Sequence, residues 1–191
     1  MQCLPVLRRF NVGETEMSNH TILTIAAFIF LSTILVSFYR LMGSTGDDVG
    51  NAQDMILAAT ISTSYIELAQ GLAFDEKTDT TNAAIGNPSA LTIPAKLGPD
   101  GAGEDSLAAF NDFDDFSGLV LEKTPTGTNK RFKTRFTVSY VNPNNADAIS
   151  STQTFVKRLD LKTWRTYPPS DNGVPIDTLR MSIGMGYFHF D

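Results

Sequence analysis

The sequence predicts an α+β protein, with a long hydrophobic N-terminal α-helix, broken near Gly43–Gly50, that packs on a C-terminal four-stranded antiparallel β-sheet. Three observations predict this class. Thr21–Met42 is apolar on every side, Asn51–Phe74 carries apolar residues at helical spacing, and the chain beyond residue 118 alternates between apolar and polar residues. The expected divisions are a leader or N-terminal extension, an apolar helix with a glycine joint, and a globular domain, at residues 1–20, 21–50 and 51–191.

The apolar segment Thr21–Met42 has no charged residue between Ile22 and Tyr39. As an α-helix it would be roughly 33 Å long, close to the hydrocarbon thickness of a bilayer. A helix that is apolar all round is not the surface helix of a soluble domain, so lipid or protein must surround it. The side chains expected to make these assembly contacts are Ile22, Ile25, Phe28, Ile29, Leu31, Ile34, Leu35 and Phe38.

Charges and glycines flank this segment. Arg8 and Arg9 precede it and acidic residues follow it, which favours an orientation with the N-terminus in the cytoplasm. Gly43, Gly46 and Gly50 come directly after it, and each glycine weakens a helix by roughly 1 kcal/mol relative to alanine. We therefore predict a break or a flexible hinge at these glycines.

The segment Asn51–Phe74 reads as an amphipathic helix. Its apolar stripe is predicted to consist of Leu57, Ile61, Tyr65, Leu68 and Leu72, opposite a polar face. Asp75–Asn111 is rich in glycine and proline and reads as a long loop, which in a compact domain is usually functional or part of an interface.

The four strands are predicted from alternation and from the turns between them. They are expected near Leu119–Glu122, Phe132–Val141, Thr152–Trp164 and Leu179–Phe190. Asn142 to Asn145 form a turn by composition. The amphipathic helix should cover the apolar face of this sheet.

Two segments carry a resemblance to a known family. The first is Lys96–Gly118, in which a Gly-Pro pair leads to the box FNDFDDFSG at Phe110–Gly118; the second is Leu68–Thr78, LAQGLAFDEKT. Together with the helix-then-sheet layout, they resemble type IV pilins and pseudopilins, and most closely the minor pilins of mannose-sensitive haemagglutinin pili. The resemblance does not extend to the front of the chain, where Glu14 follows Gly13 and no acidic residue lies within the apolar helix.

The resemblance implies a structural subunit of a type IV pilus-like extracellular filament. Its partners would be copies of itself in a helical filament, and the inner membrane before assembly. Two alternatives share the sequence features: a pseudopilin of a secretion system and a single-pass membrane protein with a binding ectodomain.

The acidic residues of the box, Asp112, Asp114 and Asp115, have two interpretations. Closely spaced carboxylates suit calcium, although the spacing is not that of an EF-hand. Alternatively, these carboxylates cap turns by accepting backbone N–H groups. The three phenylalanines of the box, Phe110, Phe113 and Phe116, are expected to anchor it in the core.

The composition and the motifs of the sequence argue against several other classes of function. A net charge of −6 argues against nucleic-acid binding, which needs clustered basic residues. The single cysteine, Cys3, allows no disulfide within the chain. The histidines, His20 and His189, lie near opposite ends, and no catalytic triad, phosphate loop or CxxC motif occurs, so we expect no enzyme activity and no cofactor other than the calcium considered above.

Overall fold

The computed structural model describes residues 12–80, 84–99, 101, 103–104, 106–169 and 178–188, with side chains from residue 19 onward. The chain divides into two compact units, Met1–Gly50 and Asn51–Asp191. The helices are α1 (Val12–Gln70) and α2 (Glu76–Thr80), and short 3₁₀ helices lie at Pro88–Ala90, Pro94–Lys96 and Phe113–Phe116. The strands are β1 (Val120–Lys123), β2 (Arg131–Asn142), β3 (Asn145–Ile149), β4 (Val156–Tyr167) and β5 (Thr178–Gly186).

The predicted break near Gly43–Gly50 is wrong, because every residue of this stretch is helical and belongs to α1. Glycine lowers helix propensity but does not prevent the backbone from bonding from residue i to residue i−4. The hydroxyls of Ser44 and Thr45 also bond to the carbonyl of Leu41, at 3.0 and 2.9 Å, which satisfies two polar groups within the same turns. Whether these glycines act as a hinge during assembly stays a prediction.

Residues 51–70 of α1 pack on one face of the antiparallel sheet, as expected for an α+β fold. The buried face differs by part of a turn from the predicted stripe. Ile61 and Tyr65 are buried, whereas Leu68 is 41% exposed. The other buried positions of this face are Ala58, Ser62, Ile66 and Ala69. Small residues on this face let the helix backbone approach the sheet closely, so apolar size alone did not indicate the contact face.

The helix α1 ends at Gln70, four residues before the predicted end at Phe74. The chain leaves the helix because Ala73 pairs with the box in a parallel bridge to Asp112. The N–H of Ala73 donates to the carbonyl of Asn111 at 3.2 Å, and the N–H of Phe113 donates to the carbonyl of Ala73 at 2.9 Å. These bonds join the end of the helix to a segment some forty residues away.

The sheet is antiparallel, with strand order β1-β2-β4-β5 and with β3 paired to the end of β2. The four predicted strands are confirmed with shifted ends. Strand β3 was missed because it is short, mostly exposed and formed by the hairpin that continues the predicted Asn142–Asn145 turn. Strand β2 buries Phe132, Phe136, Val138 and Tyr140 in alternation, as the sequence pattern predicts.

The core between helix and sheet is largely aromatic. Phe136 has no exposed surface and meets the ring of Tyr65 edge-on at 5.1 Å and the ring of Phe116 at 5.5 Å. A buried chain of hydroxyls lies beside it, in which Thr163 bonds to Ser62 at 2.8 Å and to Thr134 at 3.0 Å. Helix and sheet are therefore fastened by both ring packing and satisfied polar groups.

We expect Phe136→Ala to lower the free energy of unfolding by about 3–5 kcal/mol, because it removes a fully buried ring and leaves a cavity. Denaturant unfolding of the detergent-solubilised chain, followed by the fluorescence of Trp164, measures this loss. Ile149→Ala is the matched control, since Ile149 is 67% exposed and its truncation should change stability by less than about 0.5 kcal/mol. Equal losses in the two variants would contradict the proposed core.

Candidate assembly surface and a buried charged cluster

The candidate assembly surface is the apolar part of α1, residues 21–42. All eight predicted assembly side chains are exposed within the chain, by 47 to 70%. They are Ile22, Ile25, Phe28, Ile29, Leu31, Ile34, Leu35 and Phe38. The helix from Asn19 is long and apolar enough to cross a membrane, with a mean hydropathy of 2.3 in its most apolar window, and none of that window is buried. Such a surface is unstable in water and is compatible with membrane anchoring.

Three hydroxyl groups within this apolar segment bond to the helix that carries them. Thr24 donates to the carbonyl of Thr21 at 2.8 Å, Thr33 to that of Phe30 at 2.7 Å, and Ser37 to that of Thr33 at 2.8 Å. A hydroxyl that bonds to its own backbone needs no partner from its surroundings. These three polar residues are therefore compatible with an environment that contains no water.

Several predicted positions fall outside the described residues. These are Cys3, the arginines Arg8 and Arg9, and His189. His20 is described and exposed, and its carbonyl accepts a bond from Thr24 at 3.0 Å.

The box Phe110–Gly118 folds as a tight turn around a 3₁₀ helix. Its phenylalanines are all buried, which confirms that they anchor the box in the core. Phe110 and Phe116 pack edge-to-face at 5.3 Å. Gly118 closes the turn with φ of +80°, a conformation that favours glycine, which explains the last position of the box.

The carboxylates of Asp112 and Asp115 cap this turn reciprocally. Oδ1 of Asp112 accepts the N–H groups of Asp114 at 2.8 Å and of Asp115 at 3.2 Å. Oδ2 of Asp115 accepts the N–H groups of Asn111 at 2.9 Å and of Asp112 at 3.2 Å. This is a capping box on a 3₁₀ helix, and it corresponds to the turn-capping interpretation of the acidic residues.

Asp114 instead contacts the ammonium group of Lys157, which has no exposed surface. Nζ of Lys157 also donates to Oδ2 of Asp75 and to the carbonyl of Phe74, both at 2.8 Å. The rings of Phe74 and Tyr140 flank it, with centroids 4.7 and 5.4 Å from Nζ. One buried cation thus joins β4, the box and the segment that follows α1.

Asp75 is the second anion of this buried charged cluster. Its carboxylate accepts the N–H of Thr92 at 3.0 Å, the hydroxyl of Thr92 at 3.1 Å and the N–H of Lys77 at 3.1 Å. The hydroxyl of Tyr140 lies 3.3 Å from Oδ2 of Asp75 and donates to the carbonyl of Thr92 at 2.7 Å. The predicted long loop is therefore fixed to the domain through Thr92.

Burial raises the pKa of each of these carboxyl groups, and the neighbouring charges either oppose that effect or add to it. Burial opposes ionisation of Asp75, but the charge and hydrogen bond of Lys157 and the N–H groups of Thr92 and Lys77 leave its pKa below the usual value. Burial raises the pKa of Asp112 to about 8, and the charges of Asp114 and Asp115 add to that effect. The pKa of Asp114 is also raised, mainly by burial, although Lys157 opposes this.

The cluster does not have the form of a calcium site. The carboxylates of Asp112 and Asp115 accept hydrogen bonds from backbone N–H groups. Asp114 pairs with an ammonium group that a metal cation would have to displace. Among the residues that the structure describes, no group of three or more His, Cys, Asp or Glu side chains could hold a metal ion. The calcium interpretation therefore has no support in this geometry.

Lys157 is the residue that the sequence reasoning missed. In the strand predicted at Thr152–Trp164, alternation places position 157 on the same face as the apolar residues Phe155, Leu159 and Leu161. A lysine on the core side of an alternating strand indicates either an edge position or a buried acidic partner, and the box supplies such partners. This combination could have indicated the cluster.

Comparison with known proteins gives no match, whether to a protein-family model, to a curated protein or to a solved structure. The resemblance to pilins therefore rests on the quoted segments and the layout of the chain.

The raised pKa of Asp112 predicts a pH dependence of stability. A group that binds its proton more tightly when folded stabilises the fold below its unfolded pKa, near 3.8, and this contribution is lost as the pH rises through about 8. Asp112→Asn imitates the neutral carboxyl and keeps an oxygen that can cap the turn. We expect the melting temperature of the native chain, relative to Asp112→Asn, to fall as the pH rises from 4 to about 8.

The control for this comparison is Asp147→Asn, since the carboxylate of Asp147 is exposed. Its melting curve should follow that of the native chain at every pH. If the melting temperatures of the native chain and of Asp112→Asn differ by the same amount throughout this pH range, the pKa of Asp112 is not raised.

Proposed function

We propose that this chain is a structural subunit of a type IV pilus-like extracellular filament. The observation that carries this proposal is the exposure of the whole apolar surface of residues 21–42, on a chain whose other unit has its own closed core. In this proposal the apolar helix lies in the inner membrane before assembly and among copies of itself afterwards.

The membrane and the filament interior must both exclude water from the apolar helix, because exposing it costs a large free energy. Burying one such helix removes on the order of 1,500 Å² of apolar surface from water, worth at most tens of kcal/mol at about 25 cal/mol per Å². The helix must therefore pass from lipid to neighbouring protein without exposure to water. The internal bonds of Thr24, Thr33 and Ser37 suit both environments.

The layout of the chain supports a filament for a second reason. Residues 51–70 continue the same helix and bury one face on the sheet, so a single element carries both the apolar surface and the folded domain. Stacked copies would make heterologous contacts, and such contacts generate an open helix when the rotation does not close. The domain would then form the outer wall of the filament, with the segment Asp75–Gly118 against neighbouring copies.

Negative-stain microscopy of the cell exterior, with an antibody against this chain, tests the proposal. We expect labelled filaments in the native strain. A chain that remains monomeric in detergent and gives no labelled filament would instead be a membrane-anchored ectodomain, and short assemblies confined to the envelope would indicate a pseudopilin.

Ile29→Lys should abolish filaments, because a lysine near the middle of the apolar helix costs about 2.5–3.5 kcal/mol in the membrane and has no partner there. Membrane fractionation and filament labelling measure the two losses. Ile149→Lys is the matched control, since it places the same charge at an exposed position of β3 and should leave filaments intact. Normal filaments from Ile29→Lys would contradict the buried role of this surface.

The glycines provide a second test. A Cβ added at Gly43, Gly46 or Gly50 would meet no atom within 4 Å, so alanine fits at each position and should stabilise the helix by about 1 kcal/mol per site. If the glycines serve as a joint, the triple alanine variant keeps its helix content by circular dichroism, because this stretch is already helical, but forms fewer filaments.

Thr63→Ala controls for helix stability alone, because Thr63 is an exposed position of the same helix outside the glycine segment. This variant should assemble normally. Unchanged filament numbers in the triple alanine variant would exclude the hinge role of the three glycines.

A further inference from the structure

We propose that Lys157 and Asp114 become joined by an intramolecular isopeptide bond, an amide between Nζ of Lys157 and Cγ of Asp114. The bond would form without an enzyme, inside the folded domain. This inference is independent of the filament proposal, since it concerns only the unit Asn51–Asp191.

The two reacting groups are held together and away from water. Nζ of Lys157 contacts Oδ1 of Asp114, and neither residue is more than 2% exposed. β4 fixes the lysine and the capped 3₁₀ turn fixes the aspartate, so both groups are positioned by backbone hydrogen bonds. Groups held in reactive geometry behave as if at an effective concentration of about 10⁵–10⁸ M, which favours a condensation that does not occur between free side chains.

The neighbouring carboxyl groups supply the proton transfers that the reaction needs. Oδ2 of Asp75 lies 2.8 Å from Nζ and is positioned to accept a proton from the ammonium group, which leaves the nitrogen with a free electron pair. Burial raises the pKa of Asp75 and the Lys157 charge is the main cause that lowers it, so Asp75 becomes a better proton acceptor as that charge is lost in the reaction. Oδ1 of Asp112 accepts the backbone N–H of Asp114 at 2.8 Å, so the Asp112 carboxyl group lies next to Asp114. A neutral Asp112 carboxyl donating to Asp114 would draw electron density from its carbonyl and make Cγ easier to attack.

The step balances without an external reactant. The Nζ electron pair forms the N–C bond to Cγ of Asp114, and one C–O bond of that carboxyl group breaks. Of the three ammonium protons, one stays on the amide nitrogen and two leave with the oxygen as water. Asp75 carries one of these protons in transit and returns to its starting state.

The amide product is also compatible with the buried site in which it would form. Condensation replaces a buried cation and a buried anion with a neutral amide, and buried charges are costly to keep. Asp75 loses its charged partner but retains the N–H groups of Thr92 and Lys77 and the hydroxyl of Thr92 as donors, so its carboxylate stays hydrogen-bonded. The amide N–H can donate to the carbonyl of Phe74 or to Asp75, the two acceptors that now lie 2.8 Å from Nζ.

Such a bond would tie the box to β4 covalently and enclose the strands between them. The closed segment runs from Asp114 to Lys157 and contains β1, β2 and β3. Cross-linking residues this far apart restricts the unfolded chain, as a disulfide does, in a protein whose one cysteine cannot form a disulfide within the chain.

Intact mass spectrometry of the purified full chain tests the proposal. We expect a mass lower than that of the unmodified sequence by one water molecule, and a branched peptide containing Asp114 and Lys157 after proteolysis. Lys157→Arg keeps the charge but cannot form this amide under these conditions, so it should show the unmodified mass. The folded state of each sample is checked by circular dichroism.

An internal control comes from the pair Lys130 and Asp54, whose nitrogen and oxygen atoms are 2.5 Å apart but whose side chains are partly exposed. Peptides containing Lys130 should stay linear in the same digest. Asp75→Asn should slow formation of the bond on the order of 100-fold, the effect of removing a proton acceptor. Folded native protein that keeps its full mass, with only linear peptides at Asp114 and Lys157, would overturn the proposal, and an unchanged rate in Asp75→Asn would overturn the role of Asp75.

Discussion

The folded unit depends on the buried contacts of the Lys157 ammonium group with two carboxylates and a backbone carbonyl. It joins three parts of the chain that are far apart in sequence: strand β4, the acidic box and the segment after α1. Removing one partner of a buried charge pair leaves the other charge without compensation, which costs more than the pair contributes when intact. The long loop, which has little regular structure, is fixed at Thr92 by the bonds to Asp75, and Asp75 belongs to the same cluster.

The box shows how a short sequence can perform two tasks. Its aromatic residues fill the core between helix and sheet, while its acidic residues are divided between turn capping and contact with the buried lysine. The spacing of the phenylalanines allows this division, because a 3₁₀ turn places Phe113 and Phe116 on the same side and Asp114 and Asp115 between them. The acidic residues are therefore structural in the folded unit, and a metal ion is not needed to explain their proximity.

The apolar surface of residues 21–42 imposes a different constraint. The core of the folded unit is built from residues beyond position 50 and contains none of residues 21–42. The described residues leave this part of the helix uncovered, so lipid or other protein must surround it, and the bonds of Thr24, Thr33 and Ser37 to their own helix are compatible with either. A subunit that moves from a membrane into a filament would use both, which makes the uncovered surface a functional feature of the proposed assembly.

Local patterns in the sequence were sufficient for the apolar helix, the four main strands and the anchoring role of Phe110, Phe113 and Phe116, since periodicity reports which face of an element is buried. They gave the wrong result at Gly43–Gly50, where the helix continues despite the low helix propensity of glycine. They also failed at Leu68, because small residues, not large apolar ones, form much of the face that contacts the sheet. Only the tertiary structure decided the function of Asp112, Asp114 and Asp115 and brought Lys157 and Asp75 to them. The reason is physical: the residues next to a carboxylate in the sequence do not show what it will bind. Whether it binds a metal ion, a backbone N–H or a buried ammonium group depends on strands and loops far away in the chain.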